Sequence, residues 1–323
     1  MFLVLSVVPG TAGGESSPTV PAREVRLVMG TRAEVQVGGL DSAAANAALD
    51  AAFHALDRVD RSMSLWRESE LTRLNQTGRA QPSADLRAVL AHALDVSAAS
   101  GGAFDPTVEP LVRAAGGTGE PPRRLGDRER HVLLARVGAA RVHLDRVLGT
   151  VELDAGTTLD FGGIAKGYAA DLGLAALRAA GATSGLLDLG SSSIGAFGAP
   201  LALDIRDPER VGRLPWGCFQ LTEGHVSTSA NDQRKNHILD PHTGKPAHRV
   251  LAATVIASSG MEADALSTAV FVLGAAEGLA LLQRRGAAGL VLLREEGRPV
   301  IRATPGFAAA HGLRPAPNVA VRE

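Results

Sequence analysis

The chain has 323 residues with 45% hydrophobic side chains, which is enough apolar material for a large core in one elaborate domain or two. Its formal net charge of -1 at pH 7 and the lack of a basic tract argue against nucleic acid as a partner. Cys218 is the only cysteine in the sequence, so an intrachain disulfide is excluded.

Residues 1–22 read as a signal-like or disordered segment. A short apolar run at residues 2–8 precedes Gly, Ser and Pro residues, and it is far too short to span a membrane. The run resembles the end of a secretory signal, although it has no basic region before it. We therefore expect export to the periplasm or cell envelope, with a cytoplasmic location as the alternative.

The next part of the chain is predicted to form a strand pair and then helices. Residues 24–37 alternate between polar and apolar side chains, as the two strands of a hairpin do. Helical spacing follows at residues 41–60, with Asp41-Ser42 as a start signal, and at residues 83–100, which end at Gly101-Gly102. We expect the helical region 41–116 to form a flap-like subdomain, and residues 116–130 to form a loop.

The remainder of the sequence mixes short strands with helices. The predicted helices are 165–180, the stretch from 263 to 274, and 275–284. The predicted strands are a hairpin at 140–153, then 186–189, 201–205, 219–222, 251–257, 289–293 and 299–302. This order predicts an α+β fold with a mixed, largely antiparallel sheet covered by helices, and not a doubly wound parallel sheet. We expect one domain over residues 23–304 and a disordered tail over residues 305–323.

The most informative segment is LDFGGIAKGYAAD at residues 159–171. It reads as a strand that ends at Asp160, a glycine pair, and a helix that begins beside Lys166. A helix start of this kind suits phosphate, because its first N–H groups are unpaired and its dipole favours anions. The spacing matches neither the Walker A motif nor the GxGxxG fingerprint. The alternative is a tight strand-to-helix turn with a surface lysine.

A second segment, ADALST at residues 263–268, places a carboxylate and a hydroxyl on one helix face. Asp264 and Thr268 are i and i+4, so their side chains are neighbours if the segment is helical. Such a pair can bind a hard cation such as Mg²⁺, with carbonyl and phosphate oxygens completing its shell. The alternative is that Asp264 caps a helix and Thr268 bonds back to the preceding turn.

Hydroxyls, a histidine and an aspartate cluster between residues 226 and 246. The segment VSTSA is followed by NHILDPHTGKP, in which Asp-Pro and Thr-Gly predict a tight turn after a short strand. His237 lies just before this turn, and histidine is the usual candidate for a general base at neutral pH. The clustering is typical of a site loop, although a lone histidine is more often structural.

In this order, the segments resemble the ApbE family, the FAD:protein FMN transferases. The match runs from about residue 28 to about residue 274 and includes MGTRAEV, GGAFDPTVEPLV and LDLGSSSIGAFG. The resemblance implies transfer of FMN from FAD to a Thr or Ser hydroxyl of an acceptor flavoprotein, with release of AMP. It also implies Mg²⁺ or Mn²⁺ as cofactor, and it is compatible with peripheral membrane association through the acceptor.

The resemblance assigns roles to individual residues. The histidine thought to be catalytic corresponds to His237, and the metal-binding positions correspond to Gly163 through its main chain, Asp264 and Thr268. The FAD-contacting positions correspond to Met29, Trp66, Ala103, Phe104, Asp105, Asp160, Lys166 and Ile238. Three serines replace the usual glycine pair after LDLG, and Trp66 replaces the common tyrosine. These departures bear on acceptor docking and on the exclusion of water.

Two other functions would use the same residues. An FAD pyrophosphatase would release FMN and AMP to water from the same site. A non-enzymatic flavin-binding protein would be expected to have lost His237, Asp264 or Thr268, and the sequence retains all three.

Overall fold

The computed structural model describes residues 5–8, 21–117, 123–209, 214–231 and 237–323. The helices in these ranges are α1 Ser42–Met63, α2 Glu70–Thr77, α3 Ala84–Ala99, α4 Glu109–Ala114, α5 Asp127–Leu134, α6 Ala165–Ala179, α7 Gly260–Leu273, α8 Ala275–Arg285 and α9 Phe307–His311. The first nine strands are β1 Leu5–Val8, β2 Ala22–Val28, β3 Thr31–Gly38, β4 Arg79–Ala80, β5 Val142–Asp145, β6 Thr150–Leu153, β7 Ser184–Leu189, β8 Ser193–Phe197 and β9 Leu201–Ile205. The others are β10 Gly217–Leu221, β11 Gly224–Ala230, β12 Leu239–Asp240, β13 Lys245–Pro246, β14 Ala252–Ala257, β15 Ala288–Glu295, β16 Arg298–Ala303, β17 Arg314–Pro315 and β18 Ala320–Arg322.

A nine-stranded sheet organises the described part of the chain. Its strand order is β18-β16-β15-β14-β11-β8-β7-β3-β2, and its neighbours pair antiparallel except for β16 and β18. A second sheet has the order β1-β9-β10-β17, and two small sheets join β12 to β13 and β4 to β6 to β5. The prediction of an α+β fold with a mixed, largely antiparallel sheet is confirmed. None of the helices described combines the length and apolar character that a bilayer crossing requires.

Two cores lie on opposite faces of the nine-stranded sheet. One is shared with the helices and the other with the second sheet and α9. Strand β14 contributes to both cores. Its Ala253 and Val255 enter the helix-side core, whereas Ala252 and Ile256 enter the other. Successive side chains of a strand point to opposite faces, so a strand buried on both sides reads as a continuous apolar run.

The helix layer is held in place by α1, α6 and α7. Asp41 caps α1, its side chain accepting the N–H of Ala44 at 2.9 Å. Buried residues of α1 recur three and four positions apart, and this face packs against α6 and against β2 and β3. In the helical region 41–116, α1 packs against α6 and α3 packs against α7, so α1 and α3 belong to the same layer as α6 and α7.

Helices α6 and α7 approach each other most closely at two glycines. A Cβ atom at Gly167 would lie 2.0 Å from the carbonyl oxygen of Gly260, and one at Gly260 would lie 2.4 Å from the carbonyl oxygen of Gly167. Only residues without a side chain allow this contact between backbones. The glycine that follows Lys166 is therefore explained by helix packing, and it brings the starts of the two helices together.

The predicted strand that ends at Asp160 is wrong, because residues 157–160 have an irregular conformation. Leu159 is buried as a strand residue would be, but its N–H and C=O bond to the side-chain amide of Asn75, at 2.8 and 2.9 Å. The N–H of Asp160 bonds to the carbonyl of Pro106 at 2.8 Å. A side chain distant in sequence thus replaces a neighbouring strand, which no local pattern reveals.

The tail 305–323 is folded, and the expectation of disorder there is wrong. Phe307 is 1% exposed, and its ring meets that of Phe219 edge to face, with 5.6 Å between centroids. Strand β18 pairs in parallel with β16. The apolar residues of the tail are too widely spaced to show a helical or strand period, so only the second core reveals their role.

The predictions for the N-terminal segment and for the loop at residues 116–130 are each only partly matched by the structure. Residues 1–4 and 9–20 lie outside the described residues, so most of the signal-like segment stays a prediction. Strand β1 pairs antiparallel with β9, so the disordered alternative for the N-terminal segment does not apply to residues 5–8. Residues 118–122 also lie outside the described part, and the loop expected up to residue 130 ends earlier because α5 begins at Asp127. That helix has no buried residue, so it lacks the apolar periodicity by which helices are predicted.

Candidate active site

The start of α6 is tied to α7 by Asp264. Oδ2 of Asp264 accepts the N–H of Gly167 at 3.0 Å, and the N–H of Ala165 bonds to the carbonyl of Phe161 at 2.8 Å. These two N–H groups are already paired, in contrast to the unpaired helix start that the sequence predicts for phosphate. Lys166 is the positive residue of this segment, so its side chain becomes the principal group for an anion.

Asp264 and Thr268 lie in the second and third turns of α7, as the helical interpretation requires. Ser259 caps this helix, its side chain accepting the N–H of Glu262. Asp264 therefore does not cap its own helix, which was the alternative to a metal-binding role. It is 5% exposed, and its Oδ1 accepts the hydroxyl of Ser227 at 2.9 Å.

Thr268 meets both β11 and the glycine pair. Its Oγ1 lies 3.2 Å from Oγ of Ser229. A Cβ atom at Gly163 would lie 3.1 Å from Oγ1 of Thr268 and 3.3 Å from the ring of Phe104. The three residues predicted for the metal, Gly163, Asp264 and Thr268, are thus brought together where α6 begins.

The side chain of Lys166 reaches the turn between β7 and β8. Its Nζ donates to Oγ of Ser192 at 2.6 Å. Ser191 has a left-handed backbone with φ of 58°, and its N–H donates to Oδ1 of Asp188 at 2.5 Å. Burial raises the pKa of Asp188 above its ordinary value. The serines after LDLG therefore build a turn that presents a hydroxyl to Lys166.

Asp160 lies under the glycine pair and closes a local turn. Its Oδ1 accepts the N–H of Gly162 at 2.6 Å. Burial raises the pKa of Asp160 above its ordinary value, and the negative charge of Glu109 raises it further, whereas the bond from Gly162 opposes both. The hydrogen bond from Gly162 thus holds the carboxyl of Asp160 in place.

The Ala103-Phe104-Asp105 element is buried beside the glycine pair. These residues are 2%, 4% and 7% exposed. Oδ1 of Asp105 accepts both the N–H and the hydroxyl of Thr107, and Oδ2 accepts the N–H of Ala139 at 3.0 Å. Asp105 thus fixes the loop, and Phe104 is the member of this element that lies against Gly163.

The hairpin β12–β13 packs onto the glycines that precede this element. Nε2 of His242 lies 2.9 Å from the carbonyl oxygen of Gly101. His237 is exposed at the entrance to the hairpin, and Ile238 is buried with its carbonyl accepting the N–H of Ala247 at 2.9 Å. The predicted turn after a short strand is confirmed, and the fold brings it to the segment that carries Phe104.

Met29 and Trp66 are the predicted residues that the structure does not tie to this cluster. Met29 has φ of 54° in the turn between β2 and β3 and packs against the helix-side core. Trp66 is 62% exposed between α1 and α2. In the part of the chain that the structure describes, no hydrogen bond joins either residue to α6 or α7. Trp66 therefore lies at the surface and not in the core.

The prediction that residues 226–230 belong to a site loop is wrong, because they form the central strand β11. Ser227 and Ser229 point to α7, whereas Val226 and Ala230 enter the second core. Sequence reasoning did not select these two serines. Ser227 and Ser229 are two positions apart, so reading VSTSA as a strand would have placed both hydroxyls on one face.

The donor set of the cluster suits a hard cation. It consists of oxygens, from the carboxylate of Asp264, the hydroxyl of Thr268 and the main chain of Gly163, as Mg²⁺ and Mn²⁺ prefer. Within the described ranges, no three His, Cys, Asp or Glu side chains form a group that could hold a metal ion. A cation bound here would therefore take further oxygens from water or from a bound substrate.

The sequence matches the ApbE family over residues 29–291. It is 34% identical to the FAD:protein FMN transferase of Treponema pallidum over 307 residues, which cover 85% of this chain and 84% of that protein. It is also 30% identical to the enzyme of the same description from Rhodobacter capsulatus. That alignment covers 96% of this chain, and the chain spans 63% of the length of the R. capsulatus protein.

A solved structure shares the fold. The apo form of the Pseudomonas stutzeri flavinyl transferase ApbE superposes with a TM-score of 0.78 at 28% identity, over 90% of this chain and 97% of that one. The similarity therefore extends over nearly the whole domain and includes each of the segments that form the cluster.

Proposed function

The chain belongs to the ApbE family, and on that premise we propose that it is an FAD:protein FMN transferase. Its substrate would be FAD, and its acceptor a Thr or Ser hydroxyl of a flavoprotein. The observation that carries the proposal is the convergence of Asp264, Thr268 and Gly163 beside Lys166 at one helix start. A carboxylate, hydroxyl and carbonyl for a cation next to a lysine for phosphate are the parts that pyrophosphate chemistry requires.

The proposed reaction is a phosphoryl-type transfer. The acceptor hydroxyl oxygen forms a bond to the FMN-side phosphorus of FAD, the bond from that phosphorus to the bridging oxygen breaks, and AMP leaves with that oxygen. The acceptor loses its proton, and the product is an FMN phosphodiester on the acceptor. Asp264, Thr268 and the Gly163 carbonyl would hold Mg²⁺ or Mn²⁺, which would neutralise charge on the pyrophosphate and on departing AMP.

The chain's own side chains supply orientation and proton transfer in this proposal. Lys166 would bind a phosphate oxygen and exchange its contact with Ser192 for it, as a charge-assisted hydrogen bond. Phe104 would border the flavin from beside Gly163, and Trp66 offers an exposed ring that could cover it. His237, exposed before the hairpin, would accept the proton of the acceptor hydroxyl.

A product balance tests the function. The purified protein is incubated with FAD and Mg²⁺, with and without a candidate acceptor domain, and AMP, free FMN and protein-bound FMN are measured. AMP matched by FMN on the acceptor is the expected result. AMP matched by free FMN, whatever acceptor is added, would instead identify an FAD pyrophosphatase. The variant His237→Ala should keep FAD affinity and lose transfer.

A further inference from the structure

A row of hydroxyls crosses from β11 to α7 beside the proposed cation site. Oγ of Ser229 lies 3.2 Å from Oγ1 of Thr268 and 2.8 Å from Oγ of Ser267. Oγ of Ser267 lies 2.9 Å from the carbonyl oxygen of Asp264, one turn earlier in the helix. Ser267 is fully buried, whereas Ser229 and Thr268 are half-buried. The row therefore runs from the helix backbone out to the proposed ligand.

When all three hydrogen bonds of this row are formed together, three hydroxyls supply one hydrogen each, and the inner end of the row fixes the directions. A carbonyl oxygen only accepts, so the single hydroxyl hydrogen of Ser267 is used on Asp264. Ser229 must then donate its hydrogen to Ser267. Thr268 must in turn donate its hydrogen to Ser229, since Ser229 has no second hydrogen to give.

The consequence is that Thr268 offers lone pairs, and no hydrogen, to the side where Gly163 approaches it. An oxygen in this state can coordinate a cation or accept a hydrogen bond from an N–H group, but it cannot donate a hydrogen bond to a phosphate oxygen. In a site that must hold both a cation and a pyrophosphate, the row assigns Thr268 to the cation.

We propose that Ser229 and Ser267 are positioning residues that fix the Thr268 hydroxyl as a cation ligand. The proposal rests on the proposed function, and it extends it to two residues that do not touch the substrate. Groups that orient a metal ligand in this way commonly change metal affinity by about 10- to 100-fold when they are removed.

Ser227 provides an instructive contrast on the same strand. Its hydroxyl lies 2.8 Å from the carbonyl oxygen of Ser192 and 2.9 Å from Oδ1 of Asp264, so one hydrogen faces two acceptors. Its direction is not forced, and Asp264 needs no such help because a carboxylate carries only lone pairs when ionised. The inference therefore applies to Thr268 alone.

The test measures cation binding without FAD. Mn²⁺ is titrated against the full-length protein by EPR, and the thermal midpoint is recorded as Mg²⁺ is added. We expect Ser229→Ala to weaken Mn²⁺ binding by roughly tenfold and to reduce the Mg²⁺-dependent rise in midpoint. Ser229→Thr keeps the hydroxyl and should restore both. Ser267→Ala should act in the same direction and replaces Ser229→Ala if that variant does not fold.

A matched control and two reference variants separate the outcomes. Thr228→Val removes a hydroxyl from the same strand, where Oγ1 of Thr228 lies 3.0 Å from that of Thr254, and should leave Mn²⁺ affinity unchanged. Thr268→Val and Asp264→Asn should abolish Mn²⁺ binding. If they do and Ser229→Ala still binds Mn²⁺ as the wild type does, the row is only structural and the inference is wrong. If Mn²⁺ binding survives Asp264→Asn and Thr268→Val, the proposed cation site is wrong and the inference falls with it.

Discussion

Two carboxylates at the crossing of α6 and α7 make equivalent contacts from opposite sides. Asp171, on α6, accepts the first N–H groups of α7, from Gly260 at 2.6 Å and from Met261 at 3.0 Å. Asp264, on α7, accepts the N–H of Gly167 in the first turn of α6 at 3.0 Å. Each helix therefore carries the acidic residue that binds the start of its partner, which fixes how the two helices are aligned.

Their other neighbours separate the two carboxylates. Oδ1 of Asp171 lies 3.1 Å from Nε2 of His225, whose ring is buried. Burial raises the pKa of Asp171 and lowers the pKa of His225, so this pair is biased towards its uncharged forms. Asp264 has hydroxyls around it instead, from Ser227 directly and from Thr268 one turn along. The comparison teaches that a capping carboxylate becomes a candidate cation ligand where its surroundings add oxygens and no imidazole.

The largest expected effect is a loss of turnover when the charge of Asp264, but not that of Asp171, is removed. Asp264→Asn keeps an oxygen for the N–H of Gly167 but loses the charge that would hold the cation. A cation ligand of this kind supplies several kcal/mol to the transition state, so we expect turnover to fall by roughly 10³-fold or more. AMP release from FAD measures it, with Asp171→Asn as the matched control that should remain active. Wild-type turnover in Asp264→Asn would remove the distinction between the two residues.

The next effect concerns the crossing that both carboxylates serve. Gly167→Ala would place a Cβ atom 2.0 Å from the carbonyl oxygen of Gly260 and 2.8 Å from Cβ of Asp264. Backbone atoms cannot move aside as a flexible side chain can, so we expect a loss of about 3 kcal/mol or more in the free energy of unfolding.

Denaturant unfolding checks this expectation, and Gly126→Ala is the control. Gly126 has nothing within 4 Å of its Cβ position and an extended backbone. Its substitution should cost below about 1 kcal/mol, the change expected at a helix N-cap. Equal stability losses in the two variants would mean that the close crossing of the helices is not what Gly167 provides.

The same crossing shows how far local sequence patterns reach. Asp264 and Thr268 could be placed on one face of a helix from their spacing, and the structure confirms the helix. The pairing of Asp264 with Gly167 could not be predicted, because it depends on two helices that are far apart in sequence. The sequence predicts unpaired N–H groups at the start of α6. In the folded chain Asp264 of the partner helix accepts the N–H of Gly167, and the carbonyl of Phe161 accepts that of Ala165.

Strand β11 is the second lesson of this kind. Its serines are predicted to lie in a site loop because hydroxyls cluster there with His237 and Asp240. The hydroxyls of these serines bond to α7, and these hydrogen bonds take the place of the apolar contacts that a buried strand normally makes. By contrast, the hairpin β2–β3 and helices α1 and α3 could be predicted correctly, since each carries its polar and apolar period in its own residues.

A smaller effect is expected from the carboxylate that we consider structural. Asp171→Ala removes the acceptor for the N–H groups of Gly260 and Met261, and it leaves His225 buried without its partner. Loss of a helix cap costs about 0.5–2 kcal/mol, so the free energy of unfolding should fall by about that amount. The Mn²⁺ affinity of the variant, measured where it is fully folded, should not change. If Mn²⁺ affinity fell as it does in Asp264→Asn, both carboxylates would belong to the cation site.

The last effect concerns ligand affinity, and it tests whether the start of α6 still binds an anion once Asp264 occupies the N–H of Gly167. Lys166→Ala removes the amine that reaches Ser192, and a charge-assisted hydrogen bond of this kind contributes about 1.5–3 kcal/mol. We expect FAD affinity, measured by fluorescence titration, to weaken by roughly tenfold or more, while Mn²⁺ binding without FAD stays as in the wild type. Lys166→Arg keeps the charge and should retain most of the affinity. An unchanged dissociation constant in Lys166→Ala would mean that the phosphates bind elsewhere. The Lys166 side chain would then only link α6 to the turn that contains Ser192.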